Sequence, residues 1–303
     1  MTYGGSGDNR LNKNERREAA REKARNLREE QKKKDRRSRF ILQGSLVLVV
    51  LAIVAIVGVV IANGVRPPSP GPLNMLSDGI KIGQEFKAAP TAALQPNAKP
   101  AASKPNAANV IDIQIYLDYQ CPACGAFEKS NADQIKAWVK SGAATLEIHP
   151  IAILDRFSLG AKYSTRAANA GACVANFSPN SYFDFSALLF TNQPKENTEG
   201  LTDAQLTDLA QQAKVLKQDS ITSCIKDQTF KSWVTAATTR ATTGPIPNST
   251  VANVGGTPTV LINGSKYPGA IDNASDFATA VSKAAGDSFT GTPTPTPTPT
   301  PKP

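Results

Sequence analysis

Cys121-Pro122-Ala123-Cys124 stands where a β-branched and aromatic run, Val110 to Tyr119, gives way to a run with helical spacing, Phe127 to Val139. Val110, Ile111, Ile113, Ile115 and Tyr116 have the composition of a buried central strand, whereas Cys124, Phe127, Ile135, Trp138 and Val139 recur near a helical period. A strand that turns directly into a helix commits this part of the chain to an α/β arrangement. It also sets the chemistry of the two cysteines. Backbone N–H groups and the macrodipole at a helix N-terminus stabilise an anion, and the reactive form of cysteine is the thiolate. The two-residue gap lets one helical turn bring both sulfurs within bonding range, so the pair can pass between dithiol and disulfide. Pro122 suits the first turn, where its missing N–H forfeits no helical bond. The pattern predicts an exposed Cys121 as nucleophile and a shielded Cys124 as resolving thiol, which leaves as a stabilised thiolate when a substrate thiol attacks Cys121.

A structural zinc site needs four ligands, and beyond this pair the chain offers only the separate Cys173 and Cys224 and its sole histidine, His149, in an apolar run. No metal and no cofactor is assigned, and His149 reads as a packed strand residue. Soft thiolates also suit Cu(I), so a metal-delivery module is the alternative from another class, although Met1 and Met75 are the only methionines.

Residues 41–62 carry no charge and are rich in Val, Ile and Leu, long enough to cross a bilayer as one helix. Residues 1–39 hold fourteen Lys or Arg against seven Asp or Glu, an excess of seven positive charges. That asymmetry predicts a single-pass transmembrane helix over residues 40–62, with the N-terminal arm in the cytoplasm and everything beyond outside the cell. The apolar run is longer than a signal-peptide core. Of the chain's net charge of +9, the arm takes all but two, so a nucleic-acid partner is not expected. Anionic lipid headgroups fit the arm better.

The expected organisation is a basic arm (1–39), the membrane helix (40–62), a Pro/Ala-rich linker (63–108) with a possible edge strand at 79–83, a folded domain (109–287) and a Thr-Pro tail (288–303) expected to be extended. Within the domain, residues 157–252 read as a helical block. Tyr163, Ala167, Ala170, Val174 and Phe177 mark one helix beside Cys173, while Ile221, Ile225, Trp233, Val234 and Ala237 suggest another that contains Cys224. Thr202-Asp203-Ala204-Gln205 matches a capping box. Outside the cytoplasm Cys173 and Cys224 are expected to pair, the rival being two buried free thiols. Thr259 to Ile262, Asn263-Gly264 and Ser265 to Tyr267 predict a hairpin, followed by a last helix near Ala274 to Ala285.

Asp118 to Cys124, the later Gly256-Thr257-Pro258-Thr259-Val260, and the helices between them resemble the DsbA-like thiol-disulfide oxidoreductases of the thioredoxin superfamily over about residues 109–287. The resemblance implies a thioredoxin-like fold with a helical insertion, with Cys121 as nucleophile, Cys124 as resolving cysteine and Pro258 as the cis-proline facing them. Thr257, Pro122 and Ala123 would contact substrate. It implies an enzyme that introduces disulfides into exported proteins, with a quinone-linked membrane reoxidant of the DsbB or VKOR kind as partner. An isomerase or reductase would use the same residues. Ala123 replaces the histidine of the best-known pattern, a change that removes one stabiliser of the thiolate. Asp118 could move a proton near Cys124 or serve as a turn residue.

Overall fold

The computed structural model describes residues 18, 21–34, 48–55, 69–107 and 109–290, the last three of these by backbone alone. Internal contacts separate Met1–Pro67 from Pro68–Pro303. In the first unit residues 21–34 and 48–55 are helical and exposed. Most of the predicted membrane helix, like the Thr-Pro tail beyond residue 290, lies outside the described residues. Among the described residues no helix is long and apolar enough to cross a membrane.

The second unit is built on a five-stranded sheet. Its strands are β1 (Ile80–Ile82), β2 (Ile111–Leu117), β3 (Ala144–Pro150), β4 (Thr259–Ile262) and β5 (Ser265–Lys266), in the order β1-β3-β2-β4-β5. β2 and β3 run parallel, joined through α1 (Pro122–Ser141), and every other pairing is antiparallel. The sheet is covered on both faces, so β2 reads as a near-continuous apolar run. Ile111, Ile113, Ile115 and Leu117 pack with Phe127, Ile135 and Val139 of α1 in the main core. Tyr116 points the other way, into a second cluster with Ile151, Ile246, Val254 and Leu261. Each large side chain removed from water in this way contributes about 1.5–3 kcal/mol, which orients α1 against β2 and so places the cysteines.

Helices fill the stretch between β3 and β4: α2 (Tyr163–Phe177), α3 (Tyr182–Thr191), α4 (Asp203–Gln212), α5 (Gln218–Lys226) and α6 (Lys231–Thr243). Thr202 and Gln205 form the capping box of α4. Cys173 of α2 and Cys224 of α5 are joined by a disulfide. The helix expected to run through Cys224 and Trp233 is two helices. Gln228 takes a left-handed conformation (φ 48°), and the N–H of Phe230 donates to Asn169 Oδ1 at 2.8 Å, so an anchor on α2 redirects a chain whose apolar spacing continues without interruption. Helical structure ends at Thr243, and residues 244–258 return to the sheet without it. Asn263 and Gly264 both take positive φ at the hairpin tip, as their residue types favour. The closing helix, α7, spans Ala274–Thr290.

The stretch expected as linker is packed rather than loose from residue 69 to 107. Met75, Ile80 and Ile82 are fully buried, Leu94 is buried, and β1 pairs with β3. Asp78 accepts from both Nε and Nη2 of Arg240 and from Trp233 Nε1. A composition of Pro, Ala, Asn and Lys concealed these few anchors.

Candidate active site

Cys121 is the N-cap of α1 and Pro122 its first residue. No side chain caps this end, so the N–H groups of Ala123 and Cys124 are free to face the Cys121 sulfur. The turn before it is braced on two sides. The Cys121 N–H donates to the Asp118 carbonyl at 2.9 Å. Gln193, just past α3, donates from Nε2 to the carbonyls of Cys121 (2.8 Å) and Tyr119 (3.1 Å). Gly125 makes room for this approach, since a Cβ there would collide with Gln193 Oε1.

Across the site, Cys121 Sγ lies 3.2 Å from the carbonyl oxygen of Thr257, and the Thr257-Pro258 peptide is cis. Both cysteines are free thiols. The expectation of an exposed Cys121 is corrected: only 6 % of it is accessible, against 2 % for Cys124. The return of the chain at Thr257 covers the sulfur from a segment 136 positions away, which no local spacing reveals. Around it Pro122 is exposed, and Ala123, Thr257 and Pro258 are half-buried. The residues named from the sequence are therefore brought together at one surface.

The two sulfurs are electrostatically unlike. The Cys121 thiol is lowered to about 6, because the Cys124 thiol, the Thr257 side chain and the N–H groups of Cys124 and Ala123 hydrogen-bond to the anion and outweigh its burial. The Cys124 thiol is raised well above its ordinary value, chiefly by burial and then by its bond to Cys121. In the reduced pair the stabilised thiolate is thus Cys121, and Cys124 holds its proton. This corrects the sequence expectation of a stabilised Cys124 thiolate, since helical position was legible but depth of burial was not.

Asp118 is fully buried and its carboxylate accepts N–H groups from Gln120 (2.9 Å), Ile153 (2.9 Å) and Leu154 (3.0 Å). Burial nevertheless raises its pKa to about 6. These bonds tie the active-site turn to the loop after β3. Glu128, about one turn after Cys124 on α1, is raised to about 7 by burial among Ile115, Leu117, Ile135 and Leu146. Neither Gln193 nor Glu128 was singled out from the sequence. The i+7 position of Glu128 from Cys121 on the inward face was the available clue. Among the described residues no cluster of His, Cys, Asp or Glu has the arrangement to hold a metal ion.

A family model described as thioredoxin matches residues 99–283. Serine/threonine-protein kinase PknE of Mycobacterium tuberculosis is 34 % identical over 158 residues, which are 51 % of this chain and 24 % of the kinase. Disulfide bond formation protein D of Bacillus subtilis is 29 % identical over 118 residues, 39 % of this chain and 50 % of that protein. The chain thus spans half or less of the length of these curated relatives. Among solved structures, the reduced disulfide bond oxidoreductase DsbG and the oxidised DsbA, both of M. tuberculosis, align with a TM-score of 0.51 and 27 % identity. Each alignment covers 69 % of this chain, with 88 % of DsbG and 93 % of DsbA. BdbD of B. subtilis, at 19 % identity and a TM-score of 0.50, shares the fold.

Proposed function

The chain belongs to the thioredoxin family, and on that premise we propose that it is a DsbA-like thiol-disulfide oxidoreductase, an enzyme that introduces disulfides into exported proteins through Cys121 and Cys124. The observation that carries this reading is the geometry of the pair: Cys121 at the N-terminus of α1 with its sulfur 3.2 Å from the carbonyl that precedes the cis Pro258, and Cys124 buried behind it, an arrangement that lowers the first thiol and raises the second.

In the oxidised enzyme a substrate thiolate attacks Cys121 Sγ. The Cys121–Cys124 bond breaks, its electron pair goes to Cys124, and that sulfur takes a proton because its buried site disfavours the anion. A second substrate thiolate then attacks the substrate sulfur of the mixed disulfide. Cys121 departs as a thiolate, the better leaving group at its lowered pKa. The substrate is oxidised by two electrons and the enzyme is left as the dithiol. Thr257 and Pro258, with Pro122 and Ala123 opposite, border the sulfur and would line an extended polypeptide. Thr257 contributes its hydroxyl to the thiolate and its carbonyl to the thiol.

Residues 40–62 are proposed as a membrane anchor on their uncharged, apolar composition, with the basic arm inside and the redox domain outside. A disulfide between Cys173 and Cys224 suits an oxidising compartment. Turnover would need a membrane reoxidant, quinone-linked in this reading. The organisation proposed is the arm, the anchor, a connecting segment and one redox domain with its helical insertion, followed by the Thr-Pro tail.

The test is transfer of the disulfide from the oxidised protein to a reduced peptide with two cysteines. The parent should oxidise it, and Cys121→Ser should leave it reduced. Equal rates for the two would end the assignment. An equilibrium potential against glutathione near that of thioredoxin would instead favour a reductase.

A further inference from the structure

Residues 63–68 are all that separates the proposed anchor from Ser69, where the described part of the redox unit begins. Even fully extended, the chain from residue 62 to residue 69 spans at most about 25 Å. Because residues 69–107 are packed rather than loose, they add no slack, and an anchored chain keeps this unit close to the bilayer.

Ser69 Oγ lies 3.2 Å from Ser232 Oγ at the start of α6. From there the chain crosses to the C-terminal end of α2, where the Leu73 N–H donates to Asn176 Oδ1 (2.9 Å) and Asn74 Nδ2 donates to the Ala175 carbonyl (2.8 Å). The loop between α4 and α5 comes to the same end, its Leu216 N–H donating to Ser178 Oγ at 2.9 Å. Asn176 and Ser178 stand two positions apart, so the two leucine backbones are pinned side by side. Among the described residues of this unit, the large apolar side chains that are exposed are Leu73, Leu159 and Leu216, at 45, 67 and 72 %. Two of the three thus share one end of α2. Lys214 and Lys217 flank Leu216 in left-handed conformations (φ 55° and 59°), and both are exposed. The carboxylate nearest to them in sequence, Asp219, belongs to the first turn of α5. Single exposed leucines are ordinary, but a pinned pair with a cationic rim, beside the arriving chain, is a patch that suits an interface.

We propose that this patch, Leu73 and Leu216 with Lys214 and Lys217, rests on the phospholipid bilayer, its leucines at the acyl boundary and its ammonium groups among the headgroup phosphates. The proposal rests on the anchor read in residues 40–62. Lysine suits such a boundary, since its methylenes lie along apolar surface while the charge stays wet. Two leucines hold a free protein to lipid only weakly. A short tether makes the contact intramolecular, and the high effective concentration lets a weak contact persist. A second copy fits less well, because a two-fold contact through this patch would set its lysines against their own copies. At its other end α2 begins beside the redox site, with Ser164 Oγ donating to Gln120 Oε1 at 3.4 Å. Its fifteen residues span about 22 Å, so docking through the C-terminal end keeps Cys121 clear of the lipid and accessible to exported polypeptides.

The full chain, reconstituted in vesicles of phosphatidylcholine and phosphatidylglycerol, tests this with Leu216→Trp and, separately, Leu73→Trp and Leu159→Trp. The signal is the emission each variant adds to that of the parent, read with and without bromine on the lipid acyl chains. Bromine should quench the added emission of Leu216→Trp and Leu73→Trp and shift neither the emission nor the intensity of Leu159→Trp, which lies near the start of α2. Should one patch variant fail to fold by near-ultraviolet circular dichroism, the other reads the same surface. Flotation with the vesicles after alkaline carbonate tests the anchor independently. A chain that floats while its patch variants are quenched no more than Leu159→Trp would overturn the docking and leave the anchor standing. A chain that does not float would overturn both. A blue shift of the patch variants without quenching, growing with protein-to-lipid ratio, would place a second copy of the chain on this surface and would also overturn the proposal.

Discussion

Cys121 and Thr257, 136 positions apart, meet with the sulfur 3.2 Å from the threonine carbonyl. The same residue's side chain hydrogen-bonds the thiolate, so Thr257 serves both protonation states of one sulfur. That contact makes the strand entering β4 part of the redox site.

The rate of Cys121 alkylation in the reduced protein should rise with pH around a midpoint near 6, where its thiolate forms. Thr257→Val removes the hydroxyl and keeps the carbonyl. It should move the midpoint up by about one pH unit, since a hydrogen bond to a charged group is worth about 1.5–3 kcal/mol and one unit is about 1.4. A midpoint near 9 in the parent would show that the helix N-terminus does not hold the anion.

Stability of the reduced protein should follow the same group. The folded pKa of Cys121 is depressed from 9.0 to about 6, so the unfolded chain binds more protons between these values and stability rises with pH across that window. Its contribution is complete above 9 and gone below 6. Denaturant titrations of the reduced parent and of Cys121→Ser should therefore diverge as pH increases from 6 to 9.

Glu128 carries the opposite sign. Its folded pKa is raised from 4.5 to about 7, so its contribution is fully present below 4.5 and lost as pH rises through 7. Glu128→Gln should abolish this part of the pH dependence and be more stable than the parent at pH 8. A variant that loses stability in parallel with the parent from pH 4.5 to 8 would contradict the burial of that carboxyl.

Replacing both Cys173 and Cys224 by Ala opens a loop of 51 residues, which costs about 4 kcal/mol in the chain-entropy treatment. For a unit of this size that corresponds to a fall in Tm of about 10 °C. Scanning calorimetry of the double variant reads this directly, and below the transition Cys121 should still react.

Gln193 and Gly125 should be energetically coupled. Gln193→Ala forfeits two hydrogen bonds to the active-site turn, about 1–2 kcal/mol in total. Gly125→Ala forces a Cβ against the same side chain. In a double-mutant cycle the combined loss should fall below the sum of the single losses; strict additivity would place the two residues out of contact.

Much of the sheet was legible because its cues are local. Alternating and β-branched runs marked β2 and β4, Asn263-Gly264 marked the turn between β4 and β5, and the strand-to-helix junction placed Cys121 and Cys124 at the start of α1. The α/β class and the candidate sulfur pair came from those cues, and the thioredoxin-like fold from the resemblance carried by Asp118 to Cys124 and Gly256 to Val260. The break between α5 and α6 escaped them, because it depends on Asn169 of α2 catching the Phe230 N–H while the apolar period runs on. The packed segment 69–107 escaped as well, its hold resting on a few anchors such as Met75 and the Asp78–Arg240 pair across 162 positions.

Sequence by itself determined which residues could do redox chemistry here, since thiol type, two-residue spacing and a helix start are properties of neighbours along the chain. Tertiary structure alone decided how the two sulfurs differ. Burial and hydrogen bonding act on a charge through whatever the fold brings within a few ångströms, and at Cys121 that includes Thr257 from the far end of the domain. For the same reason only the fold shows that His149, legible in the sequence as a packed strand residue, stacks on Tyr116 of the neighbouring strand.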